Sequence, residues 1–172
     1  HRVDRRQRQM CIRDRISSQL KYLLEHKHLQ LRVVAIANSR KMLFKAEGID
    51  LNNWQTAIDQ KGIASDMEGF METMKGLNLR NSVFVDNTAN NEVPDLYASC
   101  LSHSIGVVAC NKIACSSNYD NYKQLKYLSR KYNAPFLFET NVGAGLPIID
   151  TLNNLISSGD EITEIQAVLS GS

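Results

Sequence analysis

A chain of 172 residues, 43% of them hydrophobic, is long enough for one sizeable core and too short for two complete ones. Lys and Arg total 20 against 18 Asp and Glu, but residues 1–15 (HRVDRRQRQMCIRDR) hold six Arg and two Asp, which leaves 14 basic and 16 acidic residues for the rest. That balance argues against a nucleic-acid-binding body, and no apolar run reaches the length of a secretory core or a membrane span.

The basic leader itself has two readings: an arm for nucleic acid, or sequence foreign to the gene. Its two acidic residues and its lack of interleaved aromatics favour the second, so residues 1–15 are set aside from the fold and expected to be disordered. From residue 16, Ile16, Leu20, Leu23 and Leu24 recur at helical spacing, with His and Lys closing the last turn. Residues 31–38 (LRVVAIAN) form a short β-branched run that predicts a buried parallel strand. Helix followed by strand is half of a βαβ unit, and the other half, a first strand with its glycine-rich turn, is absent.

Between residues 39 and 80 the spacing predicts two short helices, residues 51–58 and 66–74. Trp54, Met67, Phe70, Met71 and Met74 are core candidates in preference to a ligand platform. Residues 82–86 (SVFVD) read as the next buried strand and residues 91–101 as a helix with Pro94 in its first turn. Residues 103–110 are a further strand, 119–132 a helix with Tyr122, Leu125, Leu128 and Tyr132 on one side, and 135–138 a last short strand. A helix follows Pro147 and ends near Ser158 and Gly159, and residues 161–169 (EITEIQAVL) predict a strand by partial alternation.

Strands of parallel character alternating with helices predict an α/β fold with a doubly wound parallel sheet. Such sheets bind ligands outside the carboxyl ends of their strands, where four polar clusters fall: residues 38–40, 86–88, 111–112 and 139–145. Asn38, Ser39 and Arg40, with Lys41 beside them, stand where an NAD-preferring site usually offers a carboxylate. They suit a 2′-phosphate, or they form a solvated basic turn. Thr88 is placed to touch ribose or nicotinamide, while Asp86 and Asn87 are of types that satisfy backbone groups in turns. Asn111 and Lys112 follow an apolar strand directly, and the Lys112 cation could stabilise charge on a carboxylate or carbonyl oxygen. Glu139 could join exposed carbonyls to hold a hard cation, or cap a local turn. Cysteines 11, 100, 110 and 115 show no metal-site spacing with each other or with His26, His28 and His103, and are expected to be reduced thiols of a cytoplasmic protein.

The blocks VVAIANSRK (33–41), VFVDNTANNEVPDLY (83–97), GVVACNKIA (106–114), FETNVGAGLPII (138–149) and LSGS (169–172), in uninterrupted order over about residues 16–172, resemble homoserine dehydrogenase. They look most like the dehydrogenase half of the fused aspartokinase–homoserine dehydrogenases. The resemblance implies a Rossmann-like domain at residues 16–145, lacking its first strand and Gly-rich loop, and the start of a second α+β domain for substrate and dimerisation at residues 146–172. It implies an aspartate-pathway oxidoreductase interconverting L-homoserine and L-aspartate 4-semialdehyde with NADP(H), NAD being possible.

It further implies that Asn38, Ser39, Arg40, Thr88, Asn111, Lys112 and Gly143 bind cofactor and that Lys112 also acts in catalysis. A Na or K ion would be held by Glu139 with backbone oxygens of Val142 and Ala144. The acidic residues for the substrate amino group and the family's second lysine lie beyond residue 172, so the fragment alone is expected to be inactive and to belong to a homo-oligomer. A plastid location of the full-length protein stays open. The other class of reading is a non-catalytic nucleotide-binding or regulatory module, and within enzymes the cofactor domain of another amino-acid or semialdehyde dehydrogenase.

Overall fold

The computed structural model describes the backbone of residues 2–143 and 146–168, and side chains from Asp14 onward. Ala144, Gly145 and residues 169–172, which include the carbonyl expected as a cation ligand at Ala144 and the LSGS block, lie outside the described residues. The chain divides into two compact units, residues 1–80 and 81–172.

In the first unit, helix α1 (Arg2–Lys27) contains residues 16–27 and continues back through residues 2–15, set aside above, as helix backbone. His28 takes a left-handed conformation (φ 53°) and the Leu29 N–H reaches back to the Leu23 carbonyl at 3.0 Å, a Schellman-type ending that consumes an orphan carbonyl. Three strands follow in an antiparallel sheet: β1 (Ala35–Ala37), β2 (Lys41–Phe44) and β3 (Ile63–Ala64), in the order β1-β2-β3. The run at 31–38 is therefore neither fully buried nor parallel; only three of its residues are strand, and they pair with β2 from Ala35↔Phe44 to Ala37↔Met42. The physical reason is local. A short connection lets Lys41–Phe44 pair with its own neighbour at little loop-closure cost.

Helix α2 (Trp54–Lys61) buries Ile58, and α3 (Met67–Leu77) buries Phe70 and Met71 as its spacing predicts, with Phe70 against Phe44 at 5.2 Å between ring centroids. Asp66 caps α3 by accepting the N–H groups of Glu68 and Gly69, both at 3.1 Å.

The second unit is a three-stranded parallel sheet, β4 (Val83–Asp86), β5 (Gly106–Ala109) and β6 (Phe136–Leu137), in that spatial order. A 3-10 turn (Val93–Leu96) with Pro94 in its first turn leads into α4 (Tyr97–Ser102), which returns the chain from β4 to β5. A one-turn helix, α5 (Ile113–Ser116), absent from the sequence expectation, precedes α6 (Tyr119–Lys131), which leads to β6. Tyr97, Leu101, Val107, Leu125, Ala134 and Phe136 are buried between these helices and the sheet, while Val83, Val85 and Leu137 on the other face are exposed. Gly106 admits this packing, because a Cβ there would lie 2.9 Å from Pro135 Cγ. Helix α7 (Ile148–Ser157) follows the β6 loop. Residues 161–168 form no strand despite their alternation; they are exposed and have no ladder partner among the described residues.

Candidate functional site

The carboxyl ends of β4, β5 and β6 carry three of the four polar clusters, and a small set of buried polar groups holds those three turns together. Asp86, 1% exposed, ends β4. Its Oδ1 accepts the Thr88 N–H at 2.7 Å, its Oδ2 accepts the hydroxyl of the fully buried Tyr97 at 2.7 Å, and its carbonyl accepts the Cys110 N–H at 2.8 Å. The Tyr97 hydroxyl is held far above the usual tyrosine range, first by burial and then by the Asp86 carboxylate that accepts its proton.

Asn111, 2% exposed, ties the β4 and β5 turns to the β6 turn. Its Nδ2 donates to the Asn90 carbonyl at 2.9 Å and lies at the 3.5 Å limit from Thr88 Oγ1; its Oδ1 accepts the Ile113 N–H at 3.1 Å; its own carbonyl accepts Asn141 Nδ2 at 3.2 Å. Both ends of the Asn111 carboxamide are thus engaged inside the protein. Lys112, next in the chain, is exposed, stands at the N-cap of α5, and has no ion pair among the described residues. Two carboxamide oxygens of these turns, Asn87 Oδ1 and Asn141 Oδ1, are buried with no hydrogen-bond partner among the described residues, a state that costs roughly 1–3 kcal/mol each where no donor is supplied.

Glu139 faces the backbone of α7. Its Oε1 accepts the Ile149 N–H at 2.9 Å and its Oε2 the Asp150 N–H at 2.8 Å, so a carboxylate sits on the positive end of a helix whose own N-cap, Pro147, has no side chain to offer. Gly143 (φ 66°) lies so close to α7 that a Cβ would come 2.2 Å from Ile148 Cδ1. Beside this loop a cleft of about 380 Å³ is lined by Tyr119, Tyr122, Phe138, Cys115 and Asn141 among others. Burial raises the Cys115 thiol, opposed by a hydrogen bond from Asn141 and by the Lys126 charge.

In the first unit the fourth cluster is the tip of the β1–β2 hairpin. Asn38 Oδ1 accepts the N–H groups of Arg40 at 2.8 Å and Lys41 at 2.9 Å, which spends the Asn38 side chain on the turn. Ser39 and Arg40 are exposed at the tip. Lys41 is turned away, its Nζ donating to the Asp59 carbonyl.

The structure thus brings Thr88 and Asn111 together, leaves Lys112 beside them in solvent, and gives Glu139 and Gly143 contacts to α7. Tyr97 and Asn141 are members of this arrangement that sequence reasoning missed. Tyr97 sits in an apolar helical stretch that reads as packing, and only the hydroxyl on a wholly buried position distinguishes it.

A parallel sheet with polar turns at the carboxyl ends of successive strands, crossed over by helices, defines a Rossmann-like dinucleotide-binding α/β domain. The chain belongs to the homoserine dehydrogenase family: the family model "Homoserine dehydrogenase, NAD binding domain" matches residues 15–139. Among its relatives, a chloroplastic bifunctional aspartokinase/homoserine dehydrogenase 1 of Arabidopsis thaliana is 40% identical over 92% of this chain and 18% of its own length. The bifunctional enzyme of Haemophilus influenzae is 37% identical over 92% of this chain and 19% of its own. The chain therefore spans about a fifth of the length of these relatives.

Among solved structures, a homoserine dehydrogenase from Thermoplasma acidophilum shares the fold at a TM-score of 0.63 and 17% identity, over 86% of this chain and 44% of that one. A hyperthermophilic archaeal homoserine dehydrogenase mutant, solved in complex with NADPH, aligns at a TM-score of 0.57 and 25% identity, over 80% of this chain and 44% of that one. No helix among the described residues is long and apolar enough to cross a membrane.

Proposed function

We propose that this chain supplies part of the dinucleotide site of a homoserine dehydrogenase that passes a hydride between the carbinol carbon of L-homoserine and the nicotinamide of NADP, giving L-aspartate 4-semialdehyde. The observation that carries the reading is the cross-linked set of turns at the ends of β4, β5 and β6, with Thr88 and Lys112 on it and two buried carboxamide oxygens in want of donors. These groups fit a nicotinamide nucleotide, which brings hydroxyl and amide N–H donors for such oxygens and acceptor oxygens for Thr88. Lys112 acts on the oxygen of the alcohol or aldehyde as a positive charge. The 172 residues contain no G-x-G-x-x-G turn and span about a fifth of the length of the bifunctional relatives, so in this reading turnover belongs to a longer, homo-oligomeric polypeptide.

NADP is the preferred cofactor in this reading, because Ser39 and Arg40 crown a turn with no acidic side chain and would take the 2′-phosphate. The archaeal relative's complex with NADPH supports this choice. Cation binding at Glu139 also belongs to the reading. Each Glu139 oxygen has lone-pair capacity beyond the N–H it accepts, and carbonyls of Val142 and Ala144 would complete the set. The test is steady-state kinetics of the complete polypeptide with homoserine and each cofactor. NADP-linked oxidation, a fall in NADP preference of about tenfold or more for Arg40→Ala, and a rate that depends on Na or K over choline are expected. Equal use of NADP and NAD before and after Arg40→Ala would remove the specificity assignment, and no oxidation of homoserine with either cofactor would remove the function.

A further inference from the structure

Tyr97 is packed edge-on to Phe84 of β4 and tilted against Phe136 of β6, with centroids at 6.3 and 6.0 Å, and no part of it is exposed. Packing accounts for the ring and leaves the hydroxyl unexplained, since phenylalanine would fill the same space without burying an O–H. That hydroxyl is spent on Asp86, a carboxylate that is itself 1% exposed and has no ion pair among the described residues. A buried carboxylate with hydrogen bonds but no cation beside it is costly, and an asparagine could make the same turn, so stability alone does not explain the pair. Asp86 fixes the Thr88 N–H, and Thr88 Oγ1 already accepts the Asn90 N–H at 3.2 Å and faces Asn111 Nδ2. With its acceptor side occupied, the Thr88 hydroxyl has its own proton to give, and no acceptor takes that proton among the described residues.

We infer that Tyr97 and Asp86 are positioning residues, a buried relay that aims the Thr88 hydroxyl as a donor to an acceptor oxygen of the bound nicotinamide nucleotide, its ribose or its carboxamide. Tyr97 touches no ligand; it acts through Asp86. The inference rests on the proposed dinucleotide site and goes beyond it by assigning roles to two residues that lie under the rim.

The experiment is a double-mutant cycle in the complete polypeptide, read as NADPH affinity by fluorescence titration and as KM for NADP against kcat. Thr88→Val and Tyr97→Phe are each expected to weaken NADPH binding by roughly tenfold, with kcat changed less than KM. The double variant is expected to bind no more weakly than Thr88→Val alone, because the relay has one output. Asp86→Asn keeps an acceptor for the Thr88 N–H but leaves the Tyr97 proton without its carboxylate acceptor, so it is expected to weaken NADPH binding as Tyr97→Phe does, and an affinity equal to wild type overturns the relay. Should Tyr97→Phe fail to fold, Tyr97→Phe with Asp86→Leu removes both buried polar partners together and takes its place, with the same expected loss of affinity. A Tyr97→Phe enzyme that melts earlier yet binds NADPH as wild type does, or a cycle in which the two losses simply multiply, overturns the relay. Wild-type protein that binds no NADPH would instead overturn the underlying site.

Discussion

Replacing Glu139 separates the carboxylate as a helix cap from the carboxylate as a cation ligand. Two charge-assisted hydrogen bonds of 2.9 and 2.8 Å run from the first turn of α7 to a half-buried carboxylate, and no side chain of Pro147 can replace them. Allowing for partial solvent screening, about 1 kcal/mol for each bond is a reasonable scale, so Glu139→Ala is expected to cost α7 about 2 kcal/mol. Glu139→Gln keeps one acceptor oxygen and is expected to cost about half as much. The assay is amide hydrogen exchange at Ile149 and Asp150, where a loss of about 2 kcal/mol is a rise of roughly 30-fold in opening. Repeating it in sodium, potassium and choline chloride at equal ionic strength isolates the cation, because screening is common to all three salts and ligation is not. Exchange at those two amides unchanged in Glu139→Ala would refute the cap. Protection greater in sodium or potassium than in choline for wild type, and equal for Glu139→Gln, is the signature expected of the ion.

Other expected outcomes follow from the same geometry. Tyr97 and Cys115 both have acidities weakened by burial, so their contribution to stability is present at neutral pH and is lost once the unfolded groups ionise, above about pH 9 to 10. Urea melts are expected to show that alkaline loss, smaller in Tyr97→Phe, and a melting curve equally steep in pH for both proteins would contradict it. Gly76 lies inside α3 with nothing within 4 Å of the point where a Cβ would stand, so Gly76→Ala is expected to raise stability by about 0.5–1 kcal/mol in thermal unfolding. Gly143→Ala meets both a positive φ and the Ile148 side chain and is expected to destabilise by about 1–3 kcal/mol, visible as a lower melting temperature.

The parallel half of the fold was legible because β4, β5 and β6 are apolar runs ending in polar turns and separated by amphipathic stretches. Tyr122, Leu125 and Leu128 repeat at helical spacing, and Leu125 is the one α6 buries fully. The antiparallel half was not, since periodicity in a short apolar run says nothing of whether its partner is parallel. In VVAIANSRKMLF the pairing is decided by Asn38, whose carboxamide closes the turn and delivers β2 back alongside β1. Alternation in residues 161–168 misled for a related reason: a strand needs a ladder, and none of the described residues supplies one. At the site, side-chain type located the clusters but not which groups were spent. Asn111 read as a ligand contact and proves to be bonded at both ends of its amide. Glu139 read as a cap or as the cation ligand that the resemblance implies, and the distances show that the cap is made.

The hairpin tip in the first unit has a consequence for how nucleotide choice could drift over evolutionary time. Its shape is set by the Asn38 carboxamide and by main-chain pairing, neither of which involves the side chains of positions 39 and 40. Those two positions can exchange serine and arginine for other residues with little penalty to folding, so if the turn meets the 2′-phosphate as proposed above, cofactor preference can change there without disturbing the hairpin, and re-engineering would begin there.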